Sequence, residues 1–158
     1  MMIPLQFRHN GREVALFVGG GANLLMVLRE QVGDFTPKFG CGQGGCGACT
    51  VLIDGDAHLS CLTLAASVQG RSVETLDSLK DGPRLHPLQQ AFMDYFAAQC
   101  GYCTPGMLMA AKALLDKNPA PTRAEVVEAI SGNICRCTGY EPIIDAVLDA
   151  SQRPCARA

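Results

Sequence analysis

The sequence has no excess of positive charge and no long apolar run. Its 158 residues include 13 basic and 15 acidic side chains, for a formal net charge of −2, whereas nucleic-acid-binding domains usually carry a basic surface. No apolar segment approaches the roughly 18 residues that a membrane-spanning helix needs. The first residues also lack the charged region and apolar segment of a secretory signal peptide. We therefore expect a cytoplasmic protein that neither binds nucleic acid nor spans a membrane.

Charged residues are also scarce, which excludes an intrinsically disordered chain. They make up 18% of the sequence, against 48% hydrophobic residues, and this composition is typical of a chain that folds around an apolar core. The length corresponds to one domain or to two small ones.

Cysteine is the residue type that is present in unusual number. There are nine, and an odd number cannot pair completely within one chain. They amount to about 6% of the residues, fewer than the roughly 8–10% of a small secreted disulfide scaffold. Thiols in a reducing cytosol stay unpaired. A large number of cysteines in such a chain therefore predicts metal ligation or catalysis.

Residues 1–75 have the pattern of a small domain that mixes strands with a helix. Alternating apolar and polar residues on both sides of the Asn10-Gly11 turn predict a hairpin. Asn23 is a candidate N-cap for a helix. Short apolar runs predict further strands at 50–53, just before Cys61, and at 72–75.

The second half of the chain is helical in pattern and follows a predicted linker at 76–85. Four helix starts are indicated, at Pro87, at Pro105, at the Thr122 and Glu125 capping box, and at Pro142. We expect the first helix to continue to Cys100, and Val127 to face the core. Residues 86–152 would then form a four-helix bundle, and residues 153–158 a frayed tail.

Four cysteines in the first half have the spacing of a plant-type [2Fe–2S] site, C-x4-C-x2-C with a distant fourth: Cys41, Cys46, Cys49 and Cys61. Four thiolates leave such a cluster negatively charged, so burying it requires hydrogen-bond donors near the sulfurs. Glycines let backbone N–H groups approach closely, and five lie in this segment: Gly40, Gly42, Gly44, Gly45 and Gly47. Zinc usually takes two C-x2-4-C pairs instead, so this pattern favours iron and sulfur.

A second set consists of two cysteine pairs between predicted helices, Cys100 with Cys103 and Cys135 with Cys137. The bundle can bring both inter-helix loops to one metal centre. A disulfide within the Cys135 pair would close a very strained ring. The spacing leaves open an iron–sulfur cluster and a zinc ion, the latter in a zinc-stabilised interaction module.

Three segments resemble the small iron–sulfur subunit of the molybdenum hydroxylases, the xanthine dehydrogenase and aldehyde oxidoreductase family. They are FGCGQGGCGACTV at 39–51, QCGYCTPGM at 99–107 and GNICRCTGY at 132–140. The resemblance covers roughly residues 3–150, with the motifs in the family's order. It implies an α+β fold, with an N-terminal β-grasp ferredoxin-like domain followed by a four-helix bundle, and it implies one [2Fe–2S] cluster for each cysteine set.

The resemblance also implies a function, that of an electron-transfer subunit without a substrate site of its own. Electrons would pass singly from the molybdenum centre of a large subunit, through the second cluster and then the first, to FAD or another acceptor. Gln99 and Cys137 would contact the molybdopterin, expected as its cytosine dinucleotide. The expected partners are this molybdopterin-binding large subunit and an FAD-binding medium subunit, in a complex that can be a dimer of heterotrimers.

The alternative function is a free-standing [2Fe–2S] ferredoxin or redox sensor, although a simple carrier would not need the helical half. For Gln99 the plain alternative is a residue that satisfies backbone groups at a helix end. Met107 and Met109 are predicted to pack in the core, and Cys155 to be an incidental thiol. We predict no metal role for the three histidines: His9, His58 and His86.

Overall fold

A computed structural model describes residues 1–80 and 82–153, so that Asp81 of the predicted linker and Cys155 of the predicted tail lie outside the described residues. Within the described residues five strands form one mixed sheet in the order β2-β1-β5-β3-β4. Strands β1 and β5 are parallel, and the other neighbours are antiparallel. The strands are β1 Met2–His9, β2 Arg12–Gly19, β3 Thr50–Ile53, β4 Asp56–Leu59 and β5 Ser72–Glu74.

The predicted N-terminal helix begins at its predicted cap. The Met26 N–H donates to Asn23 Oδ1 at 2.9 Å, and α1 (Leu24–Met26) continues as a π-helical turn over Val27–Val32. Short 3-10 turns follow at Ala65–Val68 and Leu76–Ser78.

Four longer helices follow in the second half: α2 Pro87–Asp94, α3 Thr104–Lys117, α4 Arg123–Ile130 and α5 Glu141–Gln152. The Thr122–Glu125 capping box at α4 is confirmed. His86 caps α2, with its Nδ1 accepting from the Leu88 N–H at 3.2 Å, directly before the predicted helix start at Pro87. No helix in the described ranges is long and apolar enough to cross a bilayer.

Two expectations about the helices are wrong. Helix α2 ends at Asp94 rather than at Cys100, because Phe96 adopts a left-handed conformation (φ 51°) and the Ala97 N–H donates back to the Phe92 carbonyl. No glycine or proline marks this end in the sequence. Val127, expected to face the core, is 46% exposed, because the buried face of α4 includes Val126 and Ile130 but not Val127.

Strand β3 is buried on both sides because it lies between two apolar clusters. Val51 and Ile53 belong to the cluster beneath the sheet, whereas Leu52 belongs to the cluster of the helical bundle. Helix α3 packs beside it and is buried over most of its length, with Met107 and Met109 in the core as predicted.

The segment 76–80, predicted as part of a linker, is packed structure. Leu79 is buried and Leu76 partly buried, both against the bundle cluster. The proposed domain limits (1–75, 76–85, 86–152 and the tail 153–158) stay a prediction, but the two halves share an extended contact through β3 and α3.

A buried carboxylate, Asp34, joins the end of the α1 segment to the sheet. Its Oδ2 accepts from His9 at 2.9 Å and from Thr75 Oγ1 at 2.6 Å, and its Oδ1 accepts from the Thr36 N–H at 2.8 Å. Burial raises the pKa of Asp34, but these hydrogen bonds outweigh it and hold the pKa well below the ordinary value.

We therefore expect acid to destabilise the protein through Asp34. A group whose pKa is lowered on folding stabilises the fold above its unfolded pKa of about 3.9, and this contribution is lost as the pH falls towards the folded pKa. Asp34→Asn should lower the free energy of unfolding near pH 7 by about 1–3 kcal/mol. Urea unfolding between pH 7 and pH 3 should show a shallower acid dependence in this variant than in the wild type. Asp77→Asn, at an exposed carboxylate, is the control, and equal acid slopes in wild type and Asp34→Asn would contradict the assignment.

Candidate metal centres

The first four predicted ligands are brought together by the hairpin of β3 and β4 and by the loop that precedes it. Thr50 pairs with Leu59, so Cys49 before β3 and Cys61 after β4 lie at the same end of the hairpin, and their thiols interact. The thiols of Cys41 and Cys46 interact in the preceding loop. Two neighbouring pairs of thiols match a [2Fe–2S] cluster, in which four cysteines bind two irons.

The glycine-rich loop supplies backbone donors to these sulfurs. The Gly45 N–H donates to Cys41 Sγ at 3.3 Å. Hydrogen bonds from backbone N–H groups lower the pKa of Cys41 to about 7, and the largest contribution comes from the N–H of Gln43. Burial raises the pKa of Cys61 to about 11, although a hydrogen bond from the Gly44 N–H lowers it in part. The loop thus provides the donors that a negatively charged cluster requires when it is partly buried.

The cysteines of the second set lie on the α2–α3 loop and the α4–α5 loop, as the sequence predicted. Its thiols also form two pairs, one on the buried side and one at the surface. Cys103 interacts with the buried Cys135, and the exposed Cys100 and Cys137 have their Sγ atoms 3.7 Å apart.

The buried pair of the second set is suited to a bound metal. Burial raises the pKa of Cys103 to about 12, so this thiol keeps its proton unless a metal replaces it. Burial also raises the pKa of Cys135, but the Thr138 hydroxyl and nearby backbone N–H groups outweigh it, and the pKa is lowered.

The side chains in the described ranges form no group of three or more His, Cys, Asp or Glu placed to hold a single metal ion.

Gln99 lies at the exposed edge of the second set. Its Nε2 donates to the Cys137 carbonyl at 3.1 Å. The amide therefore satisfies a backbone group, although one in the α4–α5 loop and not at a helix end. The same bond holds the two residues that the resemblance assigns to molybdopterin side by side. Their contact with a pterin stays a prediction.

The two cysteine loops contact each other directly. The Ile134 N–H donates to the Cys46 carbonyl at 2.9 Å, and the buried Asn133 side chain donates to the Gly47 carbonyl at 2.9 Å. The Tyr102 hydroxyl donates to the Phe39 carbonyl at 2.6 Å. Three hydrogen bonds thus link segments that carry predicted ligands of different sets.

The close approach of the loops depends on two glycines. A Cβ on Gly106 would lie 2.2 Å from the Gly47 carbonyl oxygen, and a Cβ on Gly47 would lie 2.4 Å from the Gly132 carbonyl oxygen. Gly47 also has φ +70°, a conformation that glycine adopts without strain. Nothing in the sequence pattern indicates these roles for Gly106 and Asn133, since the position of Asn133 after α4 indicates only a helix end.

Two family models match the chain, one for each half. A 2Fe-2S iron-sulfur cluster binding domain matches residues 7–72, and a [2Fe-2S] binding domain matches residues 73–148. The nicotine 6-hydroxylase small subunit of Paenarthrobacter nicotinovorans is 53% identical over 94% of this chain and 89% of its own length. The nicotinate dehydrogenase small FeS subunit of Eubacterium barkeri is 45% identical over 96% of both chains.

The chain belongs to the small iron–sulfur subunits of the molybdenum hydroxylases. A solved structure agrees, since the crystal structure of quinoline 2-oxidoreductase from Pseudomonas putida 86 contains a chain that superposes with a TM-score of 0.92. It is 47% identical, and the match covers 95% of this chain and 94% of that one.

Family membership confirms several predictions from the sequence. The fold is α+β, with a ferredoxin-like domain followed by a helical [2Fe–2S]-binding domain. The chain is an electron-transfer subunit of an oxidoreductase. The relatives named here give no support to a free-standing ferredoxin, and both family models describe iron–sulfur binding rather than zinc.

Proposed function

We propose that this chain relays electrons, one at a time, from the molybdenum centre of a large molybdopterin-binding subunit to FAD or another acceptor. The observation that carries the proposal is the pair of four-thiol sets on loops that contact each other, with one set open to the surface. A [2Fe–2S] cluster, when bound, supplies one-electron redox chemistry without a change in covalent bonds.

The ligand assignment follows the two sets. Cys41, Cys46, Cys49 and Cys61 would hold the first cluster, and Cys100, Cys103, Cys135 and Cys137 the second. The pairing of the thiols, the backbone N–H donors at Cys41 and the raised pKa of the partly buried Cys103 support this assignment.

The order of the relay is supported by where each set reaches the surface. Cys100 and Cys137 are exposed beside Gln99, so this edge would contact the molybdopterin, expected as the cytosine dinucleotide. The hydrogen bond from Ile134, the residue before Cys135, to Cys46 joins the two ligand loops. We propose that electrons leave by the first set.

An apolar rim around the first set would bind the next subunit. Phe39 and Leu62 are more than half exposed, and they lie directly beside Gly42 and Gly44 of the cysteine loop. Exposed apolar side chains next to a redox centre favour a protein partner. We propose an FAD-binding medium subunit at this surface.

The complete assembly would be a cytoplasmic heterotrimer or a dimer of heterotrimers. Its substrate would bind on the large subunit. The N-heterocyclic compounds in the names of the relatives reported above, which are nicotine, nicotinate and quinoline, are the first candidates to test.

The test is anaerobic purification of the chain together with whatever polypeptides accompany it. We expect about four irons per chain, visible absorption, and two distinct electron paramagnetic resonance (EPR) signals after dithionite reduction. A larger molybdenum-containing polypeptide should co-purify. Colourless protein that contains zinc would overturn the proposal, and four irons without any partner would support the free-standing carrier instead.

A further inference from the structure

Two threonines lie close in sequence to Cys103 and Cys135, the inner pair of the second set. Thr104 follows Cys103 directly and is the first residue of α3. Thr138 lies three residues after Cys135 in the α4–α5 loop. Because the thiols of Cys103 and Cys135 interact, both threonines lie beside the same pair of predicted ligands.

The contact of Thr138 with sulfur has a defined direction. Its Oγ1 lies 3.1 Å from Cys135 Sγ, and the Tyr140 N–H donates to the same Oγ1 at 3.2 Å. The hydroxyl oxygen is therefore already an acceptor, and its own proton is available for the sulfur. A cysteine that binds iron is a thiolate without a proton, so Thr138 must be the donor in the loaded protein.

Thr104 has a buried hydroxyl with no partner. Within residues 1–80 and 82–153, its Oγ1 is the one fully buried side-chain oxygen or nitrogen without a hydrogen bond. Buried hydroxyls are nearly always paired, because an unpaired one keeps its desolvation cost. A cluster bound to the adjacent Cys103 would bring sulfur acceptors to this side of the bundle.

We propose that Thr104 and Thr138 donate hydrogen bonds to sulfurs on the Cys103–Cys135 side of the second cluster and thereby raise its reduction potential. Reduction adds negative charge to the cluster, and donors aimed at its sulfurs favour the more negative state. The first set is served instead by backbone N–H groups such as that of Gly45. This inference rests on the proposed function, which places a cluster at these cysteines.

The experiment is a redox titration of the purified complex, with mediators and dithionite, in which the EPR signal of each cluster is followed separately. The variants are Thr104→Val and Thr138→Val, which remove the hydroxyl at similar volume, and Thr104→Ser and Thr138→Ser, which keep it. We expect the second cluster to be reduced at a lower potential in both valine variants and at the wild-type potential in both serine variants. The first cluster should not shift in any of them.

Thr122→Val is the matched control, because it removes an exposed threonine that caps α4 and should weaken the bundle without moving either potential. If Thr104→Val fails to assemble the second cluster, the redox titration of Thr138→Val tests the inference, because Thr138 lies outside any helix. Wild-type potentials in the valine variants, with both signals present, would overturn the inference. A wild-type complex with only one signal would instead overturn the proposed function.

Discussion

Replacement of Cys135 by serine should remove the second cluster while the first still assembles. Cys135 is buried and interacts with Cys103, so a shorter and less acidic hydroxyl there cannot replace the thiolate. The proposed ligands of the first cluster all lie within residues 41–61, and none of them belongs to the second set. We expect iron to fall from about four to about two per chain, one EPR signal to remain, and substrate-linked reduction of the acceptor to stop.

The matched control for this substitution is Cys155→Ser, since Cys155 is not among the proposed ligands. This variant should keep both clusters and full electron flow. Cys103→Ser should behave like Cys135→Ser, because the two thiols form one pair. Full reduction of the downstream acceptor by a variant that has lost the second cluster would exclude the proposed order of the relay.

Replacement of Gly47 by alanine should separate the two cysteine loops. The new Cβ would lie 2.4 Å from the Gly132 carbonyl oxygen and 2.7 Å from the Asn133 side chain. The left-handed backbone and the overpacking together should lower the free energy of unfolding by about 2–5 kcal/mol. The hydrogen bonds from Asn133 to Gly47 and from Ile134 to Cys46 should weaken with it. The measurements are the apparent melting temperature and the rate of iron loss in urea.

Gly45→Ala is a control from the same loop. No atom lies within 4 Å of the Cβ position at Gly45, so its melting temperature should stay close to that of the wild type. Gly106→Ala should resemble Gly47→Ala, because its Cβ would lie 2.2 Å from the Gly47 carbonyl oxygen. If both Gly47→Ala and Gly45→Ala melt like the wild type, the tight contact between the loops is not the determinant that we infer.

Much of the local structure could be predicted from the sequence because its causes are local. The Asn10-Gly11 turn forms the predicted hairpin, and the side chain of Asn23 caps α1. The Thr122 capping box also forms where its spacing indicated. The end of α2 could not be predicted, since it depends on a left-handed Phe96 that carries no glycine or proline signal.

The cysteine spacings and the three motifs by themselves determined the family and the proposed division of eight cysteines into two sets, because each motif holds its own cysteines close together in the chain. Only the tertiary structure decided that Cys135 of the second set is buried and Cys103 partly buried, whereas Cys100 and Cys137 are exposed. It also decided that Gly47 and Asn133, 86 residues apart, join the two cysteine loops. Such contacts depend on the packing of distant segments, here through the doubly buried strand β3 and helix α3, and no spacing along the chain encodes them.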